Sequence, residues 1–258
     1  MAERNRSHIV VGENYSTSES FTSPQSGRGS TSPPSPIDRA GYRDKLSQEM
    51  AAAIALAEQR RANLPEQTPS VDGVYLTFES HPDFGLALDP LDAGAAELRA
   101  VTLVGAGAAV VELATVFVTD EARREFLSKL DAYATDDTPG GKPKNQALVE
   151  RIAGIQLATV RALWTDGDAN FPDDNEVVWW EVWLRRGPDT SARATEFAAA
   201  TGAQIGRRRL MFNDRLVIML NASATQLARS LDLLSDVAEF RRPAPIAAEI
   251  DGLEAEDQ

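Results

Sequence analysis

Cysteine is absent from the 258 residues, which removes disulfides and thiolate chemistry from consideration. Histidine is nearly absent: His8 and His81 are the only two. Neither belongs to an HExxH helix or a His-Gly nucleophile-type motif, and the chain has no GxSxG elbow and no P-loop. Serines concentrate near the start, where nothing is placed to activate one. A non-catalytic chain without cofactor or metal is therefore expected. Long apolar runs are also missing. Residues 9–11 (IVV) are far too few for a signal-peptide core or a membrane span, so a cytoplasmic location without a membrane partner is expected. Cations are scarce, 26 Lys and Arg against 39 Asp and Glu, for a net charge of −13. A chain this acidic is repelled by nucleic acid unless its cations cluster. The clusters present (Arg60-Arg61, Arg185-Arg186, Arg207 to Arg209, Arg241-Arg242) are short and read as solvated strand ends.

What remains is ordinary globular material, 43% hydrophobic and 25% charged. Residues 1–40 form a Ser, Thr, Pro and Gly-rich arm that cannot bury enough apolar surface to order itself. Within residues 41–66, Leu46, Met50, Ile54 and Ala57 recur at spacings of four and three, which predicts an amphipathic helix stopping near Pro65. Residues 67–170 and 171–247 each read as a β-α-β-β-α-β unit, the ferredoxin-like order; residues 248–258 are an acidic tail. The predicted fold is thus α+β, two tandem ferredoxin-like units behind an arm and one helix.

In the first unit a strand is expected at 74–79, a short helix within 90–99, a hairpin from 101–104 and 110–118, and a helix at 120–134. A helix at 147–153 and a strand near 155–164 complete it. The second unit is cleaner. It has a strand at 177–184, a helix at 192–201 ended by Gly202, and a hairpin from 203–212 and 215–221 turning at Asn213-Asp214. A helix at 224–237 begins with Ser223 and Gln226 in capping-box spacing, and a strand at 238–242 ends at Pro243.

Two motifs dissolve under inspection. The segment VTLVGAGAAVVELATVFVTDE has Gly105-x-Gly107, but Val110 replaces the third small residue and Asp120 comes too soon for a ribose-binding acid. Its valine-rich continuation favours a strand over the crossover helix such a site requires. Asp166-x-Asp168-x-Asn170 starts like a calcium loop, with Asp174 at the ninth place. Phe171 then stands where the invariant Gly belongs and Val177 where the bidentate Glu belongs. A hairpin turn and an acidic loop are the readings retained.

The tryptophans carry more information. In WWEVWLRR, Trp180, Val182 and Leu184 should face the helices, leaving Trp179 and Trp183 on the opposite face beside Glu181 and Arg185. The adjacent hairpin likewise places Val217 and Met219 opposite Leu216, Ile218 and Leu220. A sheet covered by helices on one side usually keeps a polar open face, yet both faces here are apolar. Trp179, Trp183, Val217 and Met219 are the candidate protein-interaction residues; the alternative is that the first unit or the N-terminal helix covers them.

Several blocks carry a family likeness: Trp179 to Arg185 (WWEVWLR), Phe212 to Val217 (FNDRLV), Ala238 to Arg242 (AEFRR), and Thr115 to Val118 with Asp131-Ala132-Tyr133. Phe21 to Pro24, Ile37-Asp38-Arg39, Gly73 to Phe78 and Ala158 to Trp164 fit the same pattern. Together they resemble the N-terminal, propeptide-bearing region of bacterial subtilisin-like (S8 family) serine proteases over nearly the whole chain. The resemblance implies a ferredoxin-like prodomain that serves as folding chaperone and inhibitor by packing its open sheet face on the protease. It also implies that the tail beyond Pro243 runs toward a protease cleft. The implied partners are a subtilisin-like protease domain, in cis or in trans, and an AAA-type ATPase. The family's catalytic motifs D-[ST]-G, H-G-T and G-T-S have no counterpart; Asp189-Thr190-Ser191 lacks the Gly and stands alone. A truncated gene, a split-protease half and an isolated domain remain open.

Two other function classes are weighed against this one. A nucleic-acid-binding protein shares the ferredoxin-like topology, but the net charge and the missing aromatic-and-glycine RNP1 pattern oppose it. A dinucleotide-using enzyme built on GAGAA is opposed by the spacing above.

Overall fold

The computed structural model describes residues 33–63, 71–105 and 110–243. The expected arm up to Ser32, the middle of the GAGAA turn and the acidic tail lie outside the described residues. The end of that arm, residues 33–40, is placed. Pro33 is buried, Ser35 donates to Glu150 at 2.9 Å, and Asp38 caps the first helix by accepting from the Gly41 N–H at 2.9 Å.

That helix, α1 (Arg39–Ala62), buries Leu46, Met50, Ala53, Ile54 and Ala57, the stripe its spacing dictates. Next come β1 (Val74–Ser80), a 3-10 turn at Asp89–Leu91, β2 (Ala96–Val104) and β3 (Val111–Val118). They are followed by α2 (Asp120–Thr135), α3 (Gln146–Val149) and β4 (Ile152–Leu157). The chain then passes through 3-10 turns at Val160–Leu163 and Asp168–Asn170 to β5 (Val178–Arg185), α4 (Thr190–Thr201), β6 (Gln204–Met211) and β7 (Arg215–Ala222). α5 (Ala224–Ala228), α6 (Ser230–Leu233) and β8 (Val237–Arg241) close it.

The fold is α+β, with two four-stranded sheets ordered β2-β3-β1-β4 and β6-β7-β5-β8. Every pairing is antiparallel. Element for element the two orders are the same. α1 and α2 pack together on the first sheet, with α1 running along β4. α4, α5 and α6 bury Ala194, Phe197, Ala198, Leu227 and Leu231 in one cluster with Trp180, Val182 and Leu184 of the second.

Four expectations are corrected. Residues 90–99 hold no α-helix: a 3-10 turn at Asp89–Leu91 is followed by a nine-residue strand that begins at Ala96. Pairing with β3 fixes that strand, and a bulge between Leu98 and Ala100 breaks the alternation that would have revealed it. The helix expected at 147–153 stops at Val149, and the strand expected near 155–164 is Ile152–Leu157. The single helix expected at 224–237 is two short ones. Its start is as read: Ser223 and Gln226 form a reciprocal capping box.

The first sheet has two buried faces. Leu76, Phe78, Ala114, Val116 and Val118 meet α1 and α2. Tyr75, Ala100 and Phe117, on the reverse, join Trp164, Trp180, Val182, Leu184 and Phe240 in one cluster shared with the second unit. Trp164, assigned to the first unit by sequence, bridges to Phe240 of β8 and meets the Trp180 ring edge-on at 5.4 Å.

Polar contacts close this seam. The buried Tyr75 hydroxyl donates to the Leu234 carbonyl at 2.8 Å and accepts from the Val237 N–H at 2.9 Å. Burial pushes its pKa up, so it stays a neutral donor. Arg99, turned to the seam at the bulge, donates to the Ser235 carbonyl at 2.8 Å and lies over the Phe117 ring. Arg185 reaches back to Glu97 and the Leu98 carbonyl at 2.8 and 2.7 Å. Removing the Tyr75 hydroxyl leaves the buried Val237 N–H unpaired, so Tyr75→Phe should cost about 2 kcal/mol of unfolding free energy. Urea titration checks this, and a loss below about 0.5 kcal/mol would mean that the hydroxyl is not a clamp.

Candidate functional site

The second sheet presents Trp179, Glu181 and Trp183 of β5 on the face away from its helices. The ladder places Asn221, Met219 and Val217 of β7 directly opposite them. Glu239 and Arg241 of β8 stand beside Trp183 and Glu181, and Leu210 of β6 stands beside Val217. All four sequence-predicted interaction residues therefore share one face. β7 packs on β5, β6 and α4, and α4 lies on the opposite face. The first unit meets this sheet at β8 and, through Glu97 and Leu98, at Arg185 at the end of β5.

The four residues are not alike. Val217 and Met219 are 4% and 7% exposed, whereas Trp179 and Trp183 are half-buried. Trp183 stacks on Phe212 with centroids 5.8 Å apart and planes 8° from parallel. The Arg241 guanidinium lies 4.5 Å from its centroid and donates to Glu239 at 2.9 Å. The indole N–H of Trp183 donates to Glu181 at 3.3 Å. Phe212 and Arg241 were missed by sequence reasoning. Phe212 reaches Trp183 only through the hairpin register, in which its N–H donates to the Arg215 carbonyl across the turn. Leu210, 61% exposed and level with Val217, extends the apolar patch to the sheet edge.

Trp179 sits apart, at a cavity of about 230 Å³ shared with Trp164, Phe171, Trp180 and Arg242. A second cavity, about 530 Å³, opens on the first sheet between Thr77, Leu113 and Gln156 and the segment carrying Arg161, Trp164 and Thr165. Neither contains a nucleophile beside a base. His81 is packed against Tyr42, whose hydroxyl lies 3.0 Å from its Nε2 and donates to the Ile152 carbonyl. Burial, then the Lys45 charge, lowers the His81 pKa. Tyr42 is pushed up to about 12 by burial, with Glu49 and Glu150 adding to it. Asp166 of the acidic loop accepts from the Arg242 N–H. Among the described residues no group of three or more His, Cys, Asp or Glu side chains gathers as a metal centre. No helix among them is long and apolar enough to cross a membrane.

The arrangement is an apolar patch edged by arginines, suited to binding another apolar surface that carries carboxylates. No family model, no curated protein and no solved structure matches this chain.

Replacing Trp183 by Asp removes the stack on Phe212 and the Arg241 contact and sets a carboxylate against Glu181. The aromatic and cation terms together are about 1–2 kcal/mol. Trp183→Asp should lose about that much stability in urea titrations and Trp183→Phe under half of it. Equal losses in both variants would refute the stacking role.

Proposed function

We propose that the chain is a non-catalytic, prodomain-like module of a cytoplasmic subtilisin-like serine protease system. Its two units are ferredoxin-like, and the second acts as intramolecular chaperone and inhibitor, or as a docking domain, through the Trp183 face. The observation that carries this reading is the half-buried, arginine-edged apolar face on a sheet whose helices all lie on the other side. The strand order β6-β7-β5-β8 supports it, because the ferredoxin-like pattern leaves one such face free. The resemblance of WWEVWLR and FNDRLV to S8-family N-terminal regions supplies the partner class. An AAA-type ATPase is a second partner in the same reading.

Inhibition here needs no catalytic group from this chain. A preformed sheet face docks with little ordering cost, and its aromatic residue supplies a rigid anchor. Charged residues at the rim set orientation and on-rate more than affinity.

The test is titration of the purified chain into the subtilisin-like protease domain of the same genome, with a chromogenic peptide as substrate. Stoichiometric inhibition, weakened at least about tenfold by Trp183→Asp, is the expected result, a loss equivalent to about 1.4 kcal/mol. Full protease activity at a large excess of the chain, with no complex on gel filtration, would sink the reading.

A further inference from the structure

The edge of a sheet presents main-chain N–H and C=O groups that pair with any extended chain reaching them, and proteins guard such edges with charges, bulges or covering elements. Three of the four edges here are guarded. Along β4, Glu49 accepts from the Ile155 N–H at 3.0 Å and Lys45 donates to the Ala153 carbonyl. Along β8, the Phe240 carbonyl accepts from the Thr165 N–H at 3.2 Å. β6 carries Arg207, Arg208 and Arg209, with a bulge between Ile205 and Arg209.

β2 is guarded over its first half alone. The Leu98 N–H donates to Asp92 at 2.9 Å and its carbonyl accepts from Arg185 at 2.7 Å. Beyond that point, residues 100–104 (AVTLV) hold neither charge nor proline. Val101, Leu103 and Val104 are 40%, 62% and 41% exposed. The cavity of about 530 Å³ borders all of Val101, Thr102, Leu103 and Val104, so the chain leaves open space along this stretch. The register shows which main-chain groups face it. The Glu112 N–H is turned from β2 toward β1, where it donates to the Ser80 hydroxyl at 2.8 Å. Leu103 stands directly opposite Glu112, so its own N–H and C=O turn away from β3, and by the alternation of an antiparallel ladder so do those of Val101.

We propose that β2 pairs antiparallel with β2 of a second copy of this chain, about a two-fold axis at Thr102, making one continuous sheet of the two first sheets. The outward groups identify the occupant as an extended strand, and this strand matches itself. In the two-fold register Val101 of each copy exchanges both hydrogen bonds with Leu103 of the other, so all four outward groups on each edge are used. Val101 faces Leu103, Ala100 faces Val104 and Thr102 faces Thr102, with no like charges opposed. Such a contact closes on itself and ends at a dimer. The inference is independent of the prodomain reading and leaves the Trp183 face free.

The absence of cysteine lets single substitutions read the register. Residues opposed at a non-hydrogen-bonded pair lie about 4.5 Å apart at Cα, within disulfide range, and Thr102 meets its own copy at such a pair. Under mild oxidation Thr102→Cys should form cross-linked dimers severalfold faster than Leu103→Cys, or than Leu210→Cys on the second sheet. Thr102 is half-buried whereas Leu103 and Leu210 are 62% and 61% exposed, so random collision gives the opposite order. Analytical ultracentrifugation of the unsubstituted chain should show a monomer–dimer equilibrium. Leu103→Lys should weaken it at least about tenfold with an unchanged circular dichroism spectrum. Thr102→Cys cross-linking no faster than the two leucine positions would overturn the proposal, whether or not Leu103→Lys folds. So would a chain that stays monomeric at sub-millimolar concentration, or a dimer that a folded Leu103→Lys leaves intact.

Discussion

The buried Tyr75 hydroxyl, held between the Leu234 carbonyl and the Val237 N–H, is the contact on which the arrangement of the two sheets depends. It belongs to the central part of the first sheet and grips the turn that leads into β8 of the second. A buried hydroxyl with both roles filled is directional in a way that apolar packing is not. The same turn is held from its own side. Asp236 accepts from Arg193 and from Thr190 at 3.1 Å, and its carbonyl accepts from the Arg185 N–H at 2.7 Å. Tyr75 therefore closes on a rigid target.

From that seam follows the difference between the two sheets. The reverse face of the first becomes a wall of the shared core, with Phe117 and Ala100 packed toward Trp164 and Trp180. Arg99 is the cost of that choice. Its side chain is 2% exposed, with Glu97 at 3.1 Å and the Ser235 carbonyl as partners. Burial lowers its pKa, yet a buried guanidinium that loses its partners is worse than one that keeps them. The second sheet, gripped at its β8 edge, keeps its other face for Trp183, Val217 and Met219. That asymmetry sets the sheets apart: the reverse face of the first joins the shared core, while the Trp183 face of the second stays half-buried and edged by arginines.

Much of this was legible in the residues because local rules and tertiary context agree. The alternation in β5 sorts Trp180 from Trp179 and Trp183, and Ser223 with Gln226 announces a helix start. Gly202, at φ +69°, ends α4 in the left-handed region that favours glycine. What stayed hidden depends on partners distant in sequence. The start of β2, before residue 101, is a strand because β3 lies beside it, and its bulge scrambles the period-two signal. Trp164 looks like a strand end of the first unit but packs into the second. Phe212 reads as the last residue of a strand and becomes a stacking partner only once β6 and β7 are in register. The break between α5 and α6 at Arg229 has no proline or glycine to announce it.

One continuous core joins the two units, so they unfold together. Differential scanning calorimetry of the chain tests this most directly, by comparing the calorimetric enthalpy with the van't Hoff enthalpy. A shared core predicts a single transition with a ratio of about one. Two resolved transitions, or one whose calorimetric enthalpy is about twice the van't Hoff value, would mean that the units melt independently and that the seam at Tyr75 does not couple them.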